Sequence, residues 1–428
     1  MSRGGTRNPI HLAAISAVAR GPAFVVPVLI AAAFGAGRNT DAYFLAYAAV
    51  QFLIGTLAQG IEQSVVPFAA HAIRHDEGAA RAYLDRAARG AVVFGSASWL
   101  IGVPIFVFAT RGALRWQALQ YSLLFTPLAL SWCAAAIFAG ALVSQWRIGI
   151  STGSLLWRGL GACIGIGLIP FGGSLWSVAI GLGIGEIYRV WWLRSHLYTG
   201  VGSKESRHAE PLRQLAAAAG AQILASAAIA VAPVVERLMA SSLGIGSVSR
   251  LEYAMRLLMV PSVLFDGAIV PLLLARWTEQ IAADRRPPAR GEVLRTVGEG
   301  FVLAFAIGVV LAIFAPALVH LLLAHGRFAP EDEAVVATTL RYLSLAFVAN
   351  MTAQMLERHY IATTRNQVLA ALSLARAVIR IAIAWSLLSS LGLPAFAVGF
   401  AISDVAYVAA LIGLLRAPSK AAQPAELR

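Results

Sequence analysis

Several kinds of chemistry are missing from this sequence. It has two cysteines, Cys133 and Cys163, both in apolar runs without a partner at ligand spacing, which argues against a disulfide framework or a cysteine metal site. It contains no Walker A sequence and no Gly-x-Ser-x-Gly elbow. None of its eight histidines forms part of a metal-ligand pattern. We therefore expect neither an enzyme nor a resident metal or cofactor.

Charge is also scarce. Only 13% of the 428 residues are charged and 59% are hydrophobic, with a mean hydropathy of +0.73. A bilayer-spanning helix needs about 20 mostly apolar residues, and such runs recur along nearly the whole chain. No signal-peptide pattern precedes the first run, so we expect that run to stay as a membrane anchor. The sequence predicts an all-α integral membrane protein.

The apolar runs predict about twelve transmembrane helices. Their expected bounds are 9–33, 43–72, 87–110, 117–145, 149–170, 174–196, 212–243, 247–276, 297–324, 333–360, 366–390 and 394–415. Lys and Arg are concentrated at the N-terminus, in the even-numbered loops and at the C-terminus. Because positive charge stays on the cytoplasmic side, both termini are predicted to be cytoplasmic. The net charge of +13 then reflects topology and anionic lipid headgroups, not nucleic acid.

A short repeat indicates two related halves. LIAAAFGAG at 29–37 aligns with LMASSLGIG at 238–246, although two apolar helix ends can also match by chance. As in parallel-repeat transporters, the repeat predicts two six-helix lobes around a central cavity. The expected divisions are an N-lobe at 1–200, a cytoplasmic linker at 201–211, a C-lobe at 212–416 and a disordered cytoplasmic tail at 417–428.

Charged residues at membrane depth are the candidate functional residues. Each costs about 2.5–3.5 kcal/mol when it faces lipid, so we expect them to pair or to line a shared hydrated cavity. They are Arg20, Glu62, Arg158, Glu236, Arg237, Arg256, Asp266, Arg341, Arg376, Arg380 and Asp404. Only two of the 34 Lys and Arg residues are lysines, and the planar arginine fork suits phosphate. A cavity lined with arginine predicts an anionic, phosphorylated substrate.

Simpler interpretations stay open for some of these residues. Asn39, Thr40 or Asp41 can cap the helix that follows the Gly-x-Gly turn, and Arg256 can pair with Glu252 one helical turn away. Arg376 and Arg380, one helical turn apart, can snorkel to the inner headgroups, with Asp404 as an alternative partner for one of them. The arginines of RVWWLRSHLYTG, near residue 190, are typical of snorkelling at an ordinary helix end.

The first helix and the sixth carry further signals with two interpretations. Pro22 and Pro27 predict a kinked first helix, which either lines a cavity or is kinked without a functional role. Arg158 and Glu186, in the fifth and sixth helices, are possible cavity residues.

Four segments spread over both halves carry a family resemblance. They are LIAAAFGAGRNTDAYFLAY, LAQG…QSVVPF, ERLMASSLGIGSVSRLEYAMRLLMVP and LLLAHGRFAPED. They resemble the bacterial lipid II flippases of the MurJ or MviN family, within the multidrug/oligosaccharidyl-lipid/polysaccharide exporter superfamily. The resemblance implies two six-helix lobes, alternating access and export of a polyprenyl-pyrophosphate-linked sugar. It also implies that Arg20, Asp41 and Arg256 occupy family positions, the last two associated with function.

The chain departs from that family at several positions. Val26-Pro27 and Ile54-Gly55 stand where the family has charged pairs, and Met259 stands where it has an acidic residue. Twelve helices are predicted here, whereas the family usually has fourteen. These departures favour another lipid-linked saccharide, such as an exopolysaccharide or O-antigen unit, over lipid II itself.

Charge placement and resemblance together predict a flippase-like transporter of the bacterial inner membrane. Its substrate would be a polyprenyl-(pyro)phosphate-linked saccharide, and its partners membrane lipids and the glycosyltransferases or polymerases of the same pathway. The predicted roles are phosphate binding for Arg20, Arg237 and Arg256, gating for Asp41, and coupling to H⁺, Na⁺ or the membrane potential for Glu62 or Asp266. Two alternatives are a small-molecule antiporter of the same superfamily and a non-transporting scaffold of a polysaccharide assembly complex.

Overall fold

The computed structural model describes most of the chain. The described residues are 9–75, 77–110, 112, 114–197, 212–265, 269–284, 287–363 and 365–415. Among them every regular element is a helix, as the apolar runs predict. The predicted linker 201–211, the predicted tail 417–428 and Asp266 lie outside the described residues. The division into two lobes at those bounds therefore stays a prediction.

The described residues before the predicted linker form nine α-helices. They are α1 (Pro9–Phe34), α2 (Arg38–Val50), α3 (Thr56–His75), α4 (Glu77–Ala109), α5 (Leu114–Leu124), α6 (Thr126–Ser144), α7 (Ile148–Gly153), α8 (Leu155–Gly167) and α9 (Leu175–Ser195). A π-helical turn, Gln51–Gly55, joins α2 to α3, and a 3₁₀ turn, Ile169–Phe171, follows α8.

Seven more α-helices follow in the second half. They are α10 (Leu212–Ala240), α11 (Ser247–Leu264), α12 (Val270–Asp284), α13 (Arg290–Leu323), α14 (Pro330–Ala362), α15 (Asn366–Leu391) and α16 (Pro394–Leu414). Two predicted single helices are each divided in the structure, 117–145 into α5 and α6, and 149–170 into α7 and α8. The predicted helix 247–276 contains α11 and the start of α12, with 266–268 outside the described residues. α2 begins at Arg38, earlier than predicted, because the Thr40 hydroxyl and the Gly37 backbone cap each other at 2.7 and 2.8 Å.

Nine stretches of the described residues are long and apolar enough to cross a membrane. The remaining predicted spans, 174–196, 212–243 and 247–276, fall outside that set. The first carries two buried charges, Glu186 and Arg189, and the last includes residues 266–268, which lie outside the described residues. Helix α4 exposes large apolar side chains such as Leu100 and Phe108, 73% and 79% exposed. Exposed apolar faces of this extent are typical of contact with lipid.

The chain forms two compact units. The first comprises Met1–Val260 and Ala315–Thr339, and the second comprises Pro261–Phe314 and Leu340–Arg428. The core of the second unit is built around the fully buried Trp277 of α12, with side chains from α13, α14 and α16. All features of the candidate site described below lie in the first unit, except where the second is named.

Within the first unit, α8 and α9 pack unusually closely through glycines. A methyl group added at Gly161 would lie 2.1 Å from the carbonyl oxygen of Gly181, and one at Gly185 would lie 2.4 Å from that of Trp157. Small residues allow membrane helices to approach backbone to backbone. The close contact brings Arg158 of α8 against Glu186 of α9, which are 28 residues apart in sequence.

Candidate functional site

The first unit contains a cavity of about 180 Å³ among α1, α2, α8, α9 and α11. Its lining includes three arginines, Arg20, Arg158 and Arg256, and no acidic side chain of the described residues. Tyr47 and Gln51 add polar groups to an otherwise largely apolar wall. The space is large enough for several water molecules, since each occupies about 30 Å³ in the liquid. A wall of this composition attracts anions.

Arg256 is held in the cavity wall by a buried carboxylate. Its Nε donates to Oε1 of Glu252 at 2.8 Å, across one turn of α11. Arg237 of α10 donates its Nε and Nη2 to the other oxygen, Oε2, at 2.9 and 2.5 Å. Since two guanidinium groups share one carboxylate, this group of three residues keeps a net positive charge. The two interpretations of Arg256, helical pairing and cavity lining, are both correct.

The other two predicted phosphate-binding arginines lie in different environments. Arg20 lines the cavity, is exposed, and makes no ion pair or hydrogen bond with any described residue. Arg237 is not part of the cavity lining, and its Nη1 donates to the Pro233 carbonyl at 2.8 Å. Arg237 therefore neutralises Glu252 from outside the cavity. Pro22 and Pro27 of α1 both line the cavity, which agrees with the cavity-lining interpretation of that helix.

α8 and α9 build a second group of the same composition. Arg158 donates its Nε to Oε2 of Glu186 at 2.6 Å, and Arg189 donates its Nη1 to Oε1 at 2.8 Å. Glu186 is completely buried. The Arg158 guanidinium also lies over the Trp132 ring, with Cζ 3.8 Å from the ring centroid. Again two arginines share one carboxylate, and again one of the two, Arg158, lines the cavity.

The snorkelling predicted for RVWWLRSHLYTG is wrong for Arg189. This side chain is 4% exposed and also donates its Nε to Ser154 Oγ at 2.9 Å, because the close packing of α8 and α9 buries this face. The spacing of three residues between Glu186 and Arg189 was the available sequence signal. Arg194, in the same segment, is half exposed and pairs with Asp85 at 2.8 and 3.0 Å.

Asp41 caps a helix of the other repeat. Its Oδ2 accepts the Gly246 backbone N–H at 2.6 Å, and its Oδ1 accepts the Ser249 N–H and hydroxyl at 2.8 and 2.6 Å. These donors lie at the positive N-terminal end of α11, and Asp41 itself is completely buried. The capping interpretation was therefore right in kind, but the capped helix is α11 and not α2.

The repeat recognised in the sequence is visible as direct contact between equivalent residues. Thr40 and Ser249, which are 209 residues apart, have hydroxyl oxygens 3.4 Å apart. Phe44 and Tyr253, separated by the same offset, meet edge to face with ring centroids 5.4 Å apart. In a two-fold arrangement, equivalent residues touch each other only near the axis. These contacts are consistent with the alignment of 29–37 with 238–246, and the repeat itself stays a prediction.

Of the two predicted ion-coupling residues, the structure describes one, Glu62. Glu62 of α3 is half-buried and makes no hydrogen bond or ion pair with a described residue, while it interacts electrostatically with Arg189 and Arg158. Asp266 lies outside the described residues. Among the residues that the structure describes, no three His, Cys, Asp or Glu side chains form a metal site.

In the second unit, Arg376 of α15 pairs with Asp404 of α16. Its Nε and Nη2 donate to the two carboxylate oxygens at 2.5 and 2.7 Å, and Asp404 is completely buried. The pairing considered for Asp404 is thereby confirmed, and Arg376 does not simply extend to the headgroups.

Comparisons with known proteins agree on the fold. Residues 30–426 match the family model described as lipid II flippase MurJ. A structure of lipid II flippase MurJ in an inward closed conformation aligns with a TM-score of 0.83 at 17% identity, covering 95% of this chain and 88% of that one. An inward-facing multidrug resistance MATE transporter aligns with a TM-score of 0.74 at 13% identity, covering 96% of this chain and 98% of that one. A transporter of the MOP superfamily from Pyrococcus furiosus, described as having a binding pocket of reverse polarity, aligns with a TM-score of 0.69 at 14% identity, covering 96% of each chain.

Proposed function

Because the chain belongs to the MurJ lipid II flippase family, we propose that it carries a polyprenyl-(pyro)phosphate-linked saccharide across the membrane by alternating access. The observation that carries this proposal is the cavity with Arg20, Arg158 and Arg256 in its wall. Guanidinium groups bind phosphate oxygens through paired, charge-assisted hydrogen bonds. The substrate is lipid II or a related lipid-linked exopolysaccharide or O-antigen unit.

The headgroup enters the cavity while the polyprenyl chain stays in lipid. Each of the two Arg–Glu–Arg groups contributes one net positive charge, and Arg20 contributes another without a carboxylate partner among the described residues. Arg20 and Arg256 contact the phosphate directly. Arg237 acts through Glu252, whose charge it neutralises so that Arg256 keeps its attraction for anions.

Asp41 serves as a gate contact on the outer side. Its three hydrogen bonds join the turn after α1 to the start of α11, and opening of the cavity to the outside would break them. Glu62 is the ion-coupling candidate that the structure describes, and Asp266 remains a second candidate. The coupling ion is H⁺ or Na⁺, with the membrane potential as the other driving force.

The protein resides in the bacterial inner membrane with both termini in the cytoplasm, as its arginine distribution favours. It works beside the glycosyltransferases or polymerases that make and use the lipid-linked saccharide, and it is not itself an enzyme. The alternative function, an antiporter of organic cations like the MATE transporters, is disfavoured by the positive charge of the cavity. Arginine on the wall repels such substrates.

Reconstitution of the purified protein in vesicles with a fluorescent polyprenyl-pyrophosphate saccharide tests the proposal. Arg256→Ala is expected to lower the flipping rate at least tenfold, because it removes a charge-assisted contact to phosphate. Arg295→Ala is the matched control, since Arg295 is 83% exposed and its ion pair among the described residues is with Glu299, on its own helix. Equal rates for wild type and Arg256→Ala would contradict the role of Arg256. Absence of flipping by the wild type would favour the scaffold alternative.

A further inference from the structure

Arg158 is the cavity arginine to which the proposed mechanism assigns charge but no contact with the substrate. It comes from α8, and its carboxylate partner, Glu186, is shared with Arg189. Arg189 is almost completely buried, is bonded to Ser154, and does not line the cavity. It therefore balances the charge of Glu186 from behind, and the charge of Arg158 is left for the cavity.

The hydrogen-bond donors of Arg158 lead to the same conclusion. A guanidinium carries five N–H donors. The Nε donor is used by Glu186, whereas Nη2 has no hydrogen-bond partner among the described residues although it is buried. An unpaired buried donor of a charged group costs free energy, so the contacts of Arg158 within the protein leave part of its hydrogen-bonding capacity unused.

The orientation of Arg158 is set before any ligand arrives. Trp132 supports one face of the guanidinium at 3.8 Å, and Glu186 holds one edge at 2.6 Å. The glycine contacts between α8 and α9 fix the helix that carries it. Rigid placement reduces the entropy lost on binding.

We infer that Arg158 is a third anion-binding residue of this cavity, beside Arg20 and Arg256, and that Glu186, Arg189 and Trp132 are its positioning residues. The ligand is a phosphate or pyrophosphate group, either on a lipid or free in solution. This assignment rests on the proposed function and extends it to a residue on α8, because the cavity is then lined by one ligand-binding arginine from each Arg–Glu–Arg group.

Binding to the full-length protein in neutral phosphatidylcholine nanodiscs tests this assignment. The probes are farnesyl pyrophosphate and inorganic pyrophosphate, measured by calorimetry. Arg158→Gln is expected to weaken the binding of farnesyl pyrophosphate at least tenfold, and Arg158→Lys by less, since lysine keeps the charge but lacks the fork. Arg194→Gln, which removes an arginine paired with Asp85 away from the cavity, is expected to bind like wild type.

A second set of variants tests the positioning roles. Arg189→Gln is expected to weaken binding, because Glu186 then neutralises Arg158 alone. Glu186→Gln combined with Arg189→Gln is expected to restore binding, since both charges behind Arg158 are removed together. A purely structural role for this group predicts that the double variant is worse than the single one, so failure to restore binding overturns the positioning assignment.

The outcomes separate this inference from the proposal on which it rests. Binding that is lost in Arg256→Gln but unchanged in Arg158→Gln overturns the assignment of Arg158 and leaves the proposed function in place. No binding of either probe by wild type contradicts both. Equal binding of the two probes favours a free anion as the ligand, whereas a preference for the farnesyl compound favours a lipid headgroup. If Arg158→Gln does not fold, Arg158→Lys and Trp132→Leu carry the test, and wild-type affinity in both overturns the inference.

Discussion

The turns that follow α1 and α10 align in sequence through their Gly-x-Gly segments but carry opposite charges. Asp41 in the first turn aligns with Arg250 in the second. Asp41 accepts three hydrogen bonds from the second repeat, whereas Arg250 binds Asp332, at the start of α14, with Nε 2.6 Å from Oδ1. Residues near the local axis, such as Thr40 and Ser249, touch their own equivalents. The two repeats therefore make the same kind of contact at Thr40 and Ser249, whereas the next residues, Asp41 and Arg250, have opposite charges and different partners.

This difference gives the two turns different tasks. The first turn, through Asp41, holds the two repeats together, and the second, through Arg250, attaches a third turn, the one between α13 and α14. That third turn also lies against the first, since Arg327 donates its N–H to the Ala32 carbonyl at 2.9 Å. Gly326, with a φ of +65°, is required there because a Cβ would lie 2.1 Å from the same oxygen.

A disulfide across the axis is expected to have the largest effect on this arrangement. Thr40→Cys with Ser249→Cys places two sulfur atoms where hydroxyl oxygens are 3.4 Å apart, within reach of a disulfide. If the Asp41 contact must open during transport, oxidation should stop flipping completely and reduction should restore it.

The control for that experiment removes the native thiols. Cys133 is buried and Cys163 is partly buried, so both are replaced by alanine in all variants. Each single cysteine variant should respond to oxidation like this background. Normal flipping by the oxidised double variant would mean that the turns stay together throughout transport, and Asp41 would then be a structural cap only.

Asp41→Asn is the next largest change. One carboxylate oxygen is replaced by an NH₂ group that faces N–H donors, inside a site with no solvent exposure. We expect the free energy of unfolding in detergent to fall by about 2–4 kcal/mol, with loss of flipping. Asp41→Glu is the matched variant that keeps the charge. A stability loss below about 1 kcal/mol in Asp41→Asn would contradict the importance of this cap.

Features of this site that depend on neighbouring residues could be predicted from the sequence, whereas contacts between residues far apart in the chain could not. The helices, the repeat and the cavity position of Arg256 follow from apolar runs, a nine-residue match and one charged residue at membrane depth. The burial of Arg189 does not follow, because it depends on how closely the glycines of α8 and α9 pack. The target of Asp41 could not be predicted either, since its donors lie more than 200 residues away.

Arg250→Ala tests the other side of the comparison and should have a smaller effect. The side chains of Arg250 and Asp332 are 25% and 7% exposed, so water partly replaces the lost ion pair. We expect unfolding to become easier by about 1–2 kcal/mol, with flipping reduced but present. Exchanging the charges, Arg250→Asp with Asp332→Arg, should recover part of this loss. A double variant less stable than either single variant would show that the geometry, not the pairing, matters.

Tyr253→Phe is the smallest change, and it turns the contacting pair Phe44 and Tyr253 into two phenylalanines. It removes only the hydroxyl that donates to the Gly35 carbonyl at 3.0 Å, while the edge-to-face contact with Phe44 is kept. We expect a loss of about 0.5–1.5 kcal/mol in the free energy of unfolding and normal flipping. The reciprocal variant, Phe44→Tyr, places a hydroxyl in a position that is 3% exposed, and it should cost more. If Tyr253→Phe were as damaging as Asp41→Asn, the junction would depend on the turn after α1 keeping its shape, and the charge difference between the repeats would be secondary.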